Sequence, residues 1–430
     1  MDQRILSFLA APLPTLIASL ARQGGFSAWF VGGCIRDALL ARPSNDIDIV
    51  VGPGGEDLPR AVAARIGGSF FPLDEERGHA RVALKGEGDI CDFAPLQGGT
   101  IAADLALRDF TINALAVSCA PGNLLDPLDG AVDLAQRVIR ACSADAFAAD
   151  PLRIVRAYRF AAHLDFDIHA ATLALIPDHA PLLATVAGER IRDELIRMLD
   201  LPHAVSSVLQ MTRAGVMGAI FGTDDLPADT AAGVLGRVEA LCGDLSLFGT
   251  DAELVRARLQ QEAQPGITIR ALAKLAAFLN GAGIPAGTAS QRLMLGKTAT
   301  RLLELLCSSA RLIWPAPAAA PDPHALFTLF RHREPAGCEQ LILPLAEGIL
   351  PEDGCRHLAT YLTHHHIPRG GLLLLTGDDI MTLLGLPPGR QVGEAVELLR
   401  AAQSTGEVRT RAEAQRYLAK KQLTTPDPLR

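Results

Sequence analysis

Residues 30–51, FVGGCIRDALLARPSNDIDIVV, decide how the rest of the chain is read. They spell strand, glycine turn, short helix, loop and second strand. Phe30 and Val31 end an apolar run, and Gly32-Gly33 turn the chain because glycine takes dihedrals closed to other residues. Ile35 to Leu40 suit one or two helical turns, whose free N–H groups at the start can face a phosphate. Asn45 to Val51 alternates polar and apolar, as a strand does. Alternate strand residues share a face, which puts Asp46 and Asp48 on one side and Ile47 and Ile49 on the other. Two carboxylates beside a glycine turn suit divalent metal ions that hold a triphosphate. A D-x-D pair alone is common and carries little; the Gly-Gly-x-x-Arg-Asp ahead of it supplies the weight.

The composition frames that reading. A chain of 430 residues with 49% hydrophobic content has room for two to four domains. Aromatics make up only 5%, while alanine and leucine abound, which favours helices. A formal charge of −8 excludes a diffuse basic coat, so any nucleic acid must be met by a local patch. The eight cysteines (Cys34, Cys91, Cys119, Cys142, Cys242, Cys307, Cys338 and Cys355) are scattered without a C-x-x-C pair. That pattern fits reduced thiols rather than a disulfide frame or zinc site. No apolar run reaches the length of a membrane span, and Pro12 and Pro14 interrupt Leu6–Leu20, which reads as an opening helix. A cytoplasmic protein with no membrane partner is expected.

Past the central stretch, Asp57 to Ile66 has helical spacing, and Ser69–Pro72, Ala80–Leu84 and Ile90–Ala94 read as strands. Asp92 stands alone among apolar neighbours, where a carboxylate is costly unless paired or metal-bound. It is assigned as a third catalytic carboxylate, against the alternative of a strand-end cap at the Pro95 turn. Leu105 to Ala116 reads as a mostly apolar helix carrying Arg108, Asp109 and Asn113, and the forked donors of Arg108 suit phosphate or ribose. A turn over Leu125–Gly130 leads to a strand at Val138–Arg140 that closes the head. Helices follow from Asp145. Asp150 caps one, Pro151 stands in its first turn, and Ile154, Ala157, Tyr158 and Ala161 form its apolar stripe. Asp150 and Arg153 lie one turn apart on another face.

The GG-x-x-RD and D-x-D pattern, with RDFTINALA beginning sixty residues after Asp48, resembles the nucleotidyltransferase signature of the DNA polymerase β superfamily. The branch is that of bacterial class II tRNA nucleotidyltransferases and poly(A) polymerases. Asp126-Pro-Leu-Asp-Gly130 with Asp133-Leu134, Asp150-Pro-Leu-Arg153 and Gly188-Glu-Arg-Ile191 are similar to further signatures of that family. The resemblance is strong over residues 28–200, moderate over 370–420 and weak between. It implies an α+β fold: a nucleotidyltransferase head with a small mixed sheet (1–140), then all-α neck (141–222), body (223–323) and tail (324–430). It implies two Mg²⁺ ions on Asp46 and Asp48 with Asp92 assisting, and CTP and ATP as substrates. Gly32, Gly33, Arg36 and Arg108 would hold triphosphate or ribose, and Asp109, Asn113, Arg156 and Arg159 would also bind the nucleotide. Asp150 and Arg153 would read the base, so that protein replaces a template. The implied product is CMP or AMP joined to the tRNA 3′ end, with Arg390, Arg409 and Arg411 in the tail meeting RNA phosphates. Glu189 and Arg190 would brace the base-reading helix.

Two positions depart from the family pattern. Ala149 stands where a glutamate is usual, and Leu107 replaces the first of two arginines; both bear on which nucleotides are used. Full CCA addition, CC-only or A-only addition and poly(A) synthesis therefore stay open, since Leu73–Arg81, where the switching loop is expected, has no decisive signature. A catalytically silent RNA-binding protein is the alternative of another class, and the intact D-x-D argues against it. Leu279-Asn280 fills the place of a His-Asp pair found in relatives with an added phosphohydrolase, so no second hydrolase is expected. Trp314–Pro323 reads as an extended linker. Adjacent His364, His365 and His366 diverge on any regular backbone and lack further ligand spacing.

Overall fold

The computed structural model describes residues 2–44, 46–74, 76–84, 90–120, 123–312, 314, 322–368 and 371–421. The expected linker, apart from Trp314, Asp322 and Pro323, lies outside them, as does Glu75 in the expected switching loop. Contact density divides the chain into two units, Met1–Val186 with Ala214–Ala219, and Ala187–Arg213 with Ile220–Arg430.

The first unit is built on a mixed sheet of seven strands: β1 (Ala28–Val31), β2 (Asp46–Val51), β3 (Ser69–Asp74), β4 (His79–Ala83), β5 (Ile90–Pro95), β6 (Ala116–Ser118) and β7 (Leu124–Leu125). Their order is β3-β4-β5-β2-β1-β6-β7. Only β2 and β5 run parallel; the other neighbours are antiparallel. One face takes Phe30, Ile47, Ile49, Val82 and Phe93, all buried. Helices α1 (Gln3–Leu9), α2 (Pro12–Gln23), α3 (Gly33–Leu39) and α4 (Leu58–Ile66) supply apolar residues such as Ile5, Ile17, Ile35 and Val62 to the core there. The opposite face is only half covered. Helix α5 (Ile101–Ala106) packs Leu105 on Val31, Val50 and Ala116, and the strands beyond are left open.

Three expectations are corrected here. The chain opens with two helices meeting at 74° rather than one, because Pro12, lacking an N–H, starts a helix and cannot continue α1. No single described helix is long and apolar enough to cross a membrane. Leu105–Ala116 is not one helix: α5 ends at Ala106, a 3-10 turn covers Thr111–Asn113, and β6 begins at Ala116. Asp109 Oδ1 accepts the Phe110 N–H at 2.8 Å, a local bond that competes with helical hydrogen bonding. Val138–Ile139 (β8) pairs with Asp167–Ile168 (β9) in a separate two-stranded sheet, so it ties the following helices together and adds nothing to the head sheet. Helix α6 (Gly130–Gln136) precedes this strand, and α7 (Ala146–Ala149), α8 (Leu152–Leu164) and α9 (Ala170–His179) follow it.

The second unit is helical apart from a short ribbon, Glu262–Gln264 with Ile267–Thr268. Helix α10 (Gly188–Leu199) buries Ile191, Leu195, Ile196 and Leu199, the stripe expected from its spacing. At the centre, Ile269–Ala282 is buried nearly all round, including Lys274, whose ammonium pairs with Glu239 at 2.8 Å. Asn280 Nδ2 donates to the Cys307 carbonyl at 3.0 Å, an ordinary structural bond. The C-terminal helices close on their own core of Leu375, Ile380, Ala395, Leu399, Val408 and Leu418. The three histidines take separate environments. His364 Nε2 meets Asp251 Oδ1 at 2.6 Å, His365 lies against Tyr361, and His366 is buried among Phe327, Phe330 and Tyr361.

Candidate active site

Strand register assembles the carboxylates. Asp48 on β2 pairs with Asp92 on parallel β5 and with Val31 on β1, and Asp92 pairs with Arg81 on β4. Paired residues share a face, so Asp46, Asp48, Asp92 and Arg81 all project from the open half of the sheet. Asp46 is exposed and Asp48 half-buried at the edge of the region that α5 covers. Burial raises the Asp48 pKa; Arg108 and Arg36 pull it down, Asp92 and Asp46 push it up, and the balance is upward. Burial and the neighbouring carboxylates both disfavour the bare Asp48 charge, which a cation at this face would offset.

The three carboxylates are not equally available. Asp92 is held by a forked bond, Arg81 Nε to Oδ1 at 2.7 Å and Nη2 to Oδ2 at 2.8 Å. Among the described residues no three His, Cys, Asp or Glu side chains close on a common point that would hold a metal ion. Two carboxylates suffice for Mg²⁺ when substrate phosphates and water complete an octahedron, so the donor set of Asp46 and Asp48 fits that ion.

Beside them lies the glycine turn. Gly32 has φ +71°, and a Cβ there would stand 2.9 Å from Arg108 Nη1 and 3.4 Å from Asp48 Oδ2. Glycine is required twice over, by its backbone and by what crowds it. Arg108 Nη2 reaches Asp104 only at 3.4 Å, and its buried Nε has no hydrogen-bond partner among the described residues. A cavity of about 260 Å³ is lined by Asp48, Leu73, His79, Asp92 and Arg108. A guanidinium with an unpartnered Nε and one long ion pair, lining a small cavity with carboxylates, is suited to a phosphorylated ligand carrying its own cation. A larger cavity, about 460 Å³, opens on the other face between α4 and β3–β5; it lacks the paired carboxylates.

Several expected nucleotide-binding residues prove to be bonded to one another. Arg36 is buried and donates to Asp37 through Nε and Nη2, each at 2.9 Å, and through Nη1 to Asn113 Oδ1 at 2.7 Å. Asn113 Nδ2 donates to Asp109 Oδ1 at 3.0 Å, and Asp109 Oδ2 accepts from Arg156 Nη2 at 2.7 Å and Nε at 3.0 Å. Burial alone would raise the Asp109 pKa, but Arg156, Asn113 and the Phe110 N–H outweigh it and hold the carboxyl below its usual range. The chain Asp37–Arg36–Asn113–Asp109–Arg156 thus joins α3 to α8 behind the site. Phe160 is its aromatic floor, with the guanidinium carbons of Arg36 and Arg156 each 5.2 Å, and that of Arg159 4.1 Å, from the ring centre.

On α8, Asp150 Oδ1 accepts the Leu152 N–H at 3.2 Å, so its carboxylate caps the helix as expected although Pro151 intervenes. Arg153 turns back to the segment that carries Arg108, donating to the carbonyls of Leu107 at 2.7 Å and Arg108 at 3.2 Å. Leu107 itself is exposed, as is Ala149. In the second unit Arg390 and Arg409 lie at the surface, while Arg411 is tied to Asp379 at 2.6 Å. Sequence reasoning passed over Arg81 as a site residue. Strand alternation marks it as outward-facing, but its pairing with Asp92 depends on a register that no local pattern reveals.

Comparison with known proteins finds full-length relatives of the chain. A family model described as the poly A polymerase head domain matches residues 28–98 and 74–140, and one described as the probable RNA and SrmB-binding site of polymerase A matches 165–223. A CC-adding tRNA nucleotidyltransferase of Geobacter sulfurreducens is 89% identical over 430 residues, all of both chains. An A-adding tRNA nucleotidyltransferase of Deinococcus radiodurans is 31% identical over 439 aligned positions, covering 93% of this chain and 96% of the relative. The Thermotoga maritima CCA-adding enzyme, solved in complex with tRNA, superposes with a TM-score of 0.68 at 23% identity, over 98% of this chain and 96% of the other, a likeness of fold. With the carboxylate pair, the glycine turn and these full-length likenesses together, the chain belongs to the tRNA nucleotidyltransferase family.

Proposed function

We propose that the protein transfers CMP from CTP to the 3′ end of tRNA and stops after two additions, leaving the final adenosine to another enzyme. The observation that carries the CC-only reading is the 89% identity, over the whole chain, to a CC-adding relative. The A-adding relative at 31% is far enough away for specificity to have changed. Asp46 and Asp48 hold Mg²⁺, which when bound acidifies the attacking ribose hydroxyl and neutralises the departing pyrophosphate. Arg108 supplies the positive charge on the phosphate side, and Gly32 keeps that approach clear. Arg36, Asp109, Asn113 and Arg156 hold the glycine turn and α8 in register from behind. Asp150 and Arg153 read the base edge, an acceptor and a forked donor that leave UTP and GTP with unpaired groups. Residues 1–140 carry the chemistry, 141–222 the base reading, and 324–430 the RNA contact. The proposed location is the cytoplasm.

The test offers purified protein with Mg²⁺ three transcripts: tRNA lacking CCA, tRNA ending in CC, and complete tRNA, with each NTP singly and together. Two C residues on the first and nothing on the others is the expected result. A completed CCA end overturns the CC-only reading, and long A tracts overturn tRNA specificity. Asp46→Ala is expected to abolish incorporation while tRNA binding persists; substantial turnover in that variant removes the metal assignment.

A further inference from the structure

Arg81 has no part in the proposed chemistry, yet it is bonded to the carboxylate in register with Asp48. Its guanidinium lies on the open face of the sheet and takes both oxygens of Asp92, at 2.7 and 2.8 Å. Asp92 is in direct register with Asp48, and Asp46 is two residues along on the same face. The Asp92 hydrogen bonds raise the Arg81 pKa, and the charges of Asp92, Asp46 and Asp48 add to the rise, so this one cation feels all three carboxylates. Both partners are partly open to solvent, with 40% of the Arg81 side chain and 34% of that of Asp92 exposed. The forked geometry makes this a firm pair for its exposure, yet the open sides of both groups leave them accessible to competition from a metal ion and from phosphate oxygens.

We propose that Arg81 is a built-in counter-cation that occupies Asp92 until a divalent ion and nucleotide displace it. Asp92 is then withheld from the empty site and recruited only as the site fills. The reason is charge balance: three carboxylates on neighbouring strand positions repel one another, and one guanidinium removes that repulsion when no metal is present. Two consequences follow. Without nucleotide, the site binds a divalent ion through Asp46 and Asp48 only. Once released, the Arg81 fork is a second cation beside the triphosphate, complementing Arg108.

The inference rests on the reading of Asp46 and Asp48 as the metal pair, and the experiment separates the two. Free Mn²⁺ is measured by electron paramagnetic resonance during titration of the full-length protein without nucleotide or tRNA. Arg81→Gln is expected to tighten Mn²⁺ binding roughly tenfold, because the Asp92 charge beside the pair is no longer neutralised. Arg81→Lys, which keeps the charge but not the fork, should fall between. Asp92→Asn in the otherwise wild-type protein should weaken Mn²⁺ binding, because it leaves the Arg81 charge uncompensated beside the pair, and combined with Arg81→Gln it should return the affinity to near wild type. Equal or weaker Mn²⁺ binding by Arg81→Gln, or a gain that persists in the Arg81→Gln, Asp92→Asn double variant, overturns the proposal and makes Arg81 a fixed brace. Mn²⁺ binding that survives in the Asp46→Ala, Asp48→Ala double variant overturns the underlying metal assignment instead.

Discussion

At the scale of single residues, Asp109 shows how a functional-looking side chain is used structurally. It is buried, and its carboxylate accepts from Arg156, Asn113 and the Phe110 N–H. Its carboxyl is held below the usual range, so its contribution to stability is present above the unfolded-state pKa and is lost as pH falls through the lower folded value. Asp109→Asn should therefore cost about 2–4 kcal/mol near neutral pH, since Arg156 loses a buried anion. The gap between wild type and variant should close below about pH 4, where the unfolded carboxyl takes up its proton. Urea unfolding from pH 7 down to pH 3 measures both; a gap independent of pH would show that the ion pair is not its source. The sequence made Gly32, Asp46, Asp48 and Arg108 legible, because a turn glycine, strand alternation and a forked donor are local signals. It did not reveal that Asp109 and Arg156 are partners across 47 residues, or Arg81 and Asp92 across 11, because such pairs exist only once the fold brings them together.

At the scale of elements, the apolar run Leu105–Ala116 was legible as important and illegible as to form. A short apolar stretch serves a helix or a buried strand equally well, and here it serves as the end of one, a 3-10 turn and the start of the other. What fixes that turn is α6. Asp126 accepts the N–H of Gly130 at 2.6 Å and of Ala131 at 2.9 Å, which caps α6 from three residues before Asp129. Thr111 Oγ1 then donates to Asp133 Oδ2 at 2.6 Å, and Arg140 Nε donates to the same oxygen at 2.9 Å. Gly130 stands so close to the turn that a Cβ would meet the Thr111 carbonyl oxygen at 2.1 Å, backbone against backbone. Gly130→Ala must push α6 away from Thr111–Asn113, and is expected to cost about 2–4 kcal/mol, as overpacking without room to relax does. Because Asn113 also holds Arg36, the same variant should lose CMP transfer under conditions where circular dichroism still reports a folded protein. Full activity in Gly130→Ala at normal melting temperature would mean that α6 does not set the geometry of the site. The Asp-Pro-x-x-Gly pattern shows in sequence as a turn; that its glycine is a contact point for another element does not.

At the scale of the whole molecule, the formal charge of −8 requires that tRNA be met by selected cations and not by a general basic surface. Composition makes that much legible. It does not say which helices pack together, so the division of contacts at Val186 and Ala187 has no marker in the sequence, where one amphipathic helix looks like the next. Nor does it separate the tail arginines from one another, although their surroundings differ. The Arg411 guanidinium is committed to Asp379 at 2.6 Å and to the Leu374 carbonyl at 3.2 Å, bonds that hold its helix, Arg411–Lys420, to the helix Gly377–Leu384 and the segment just before it. Arg390 opens the helix Arg390–Ser404 with 92% of its side chain exposed, and among the described residues its ion-pair partner is Glu394, one turn on, at 2.8 Å. An exposed pair of that kind amounts to a few tenths of a kcal/mol, and a phosphate can take the cation from it at little cost. The proposed RNA contact therefore falls first to Arg390. Arg390→Ala should weaken tRNA binding equally for transcripts with and without CCA, and should lower the slope of log affinity against log salt by about one. Arg411→Ala should instead lower the melting temperature and leave that slope close to wild type. Filter binding over a range of salt concentrations, beside thermal melts of both variants, measures the difference. An unchanged slope in Arg390→Ala would move the RNA-binding surface off the start of this helix and toward Arg409 on the turn that follows it.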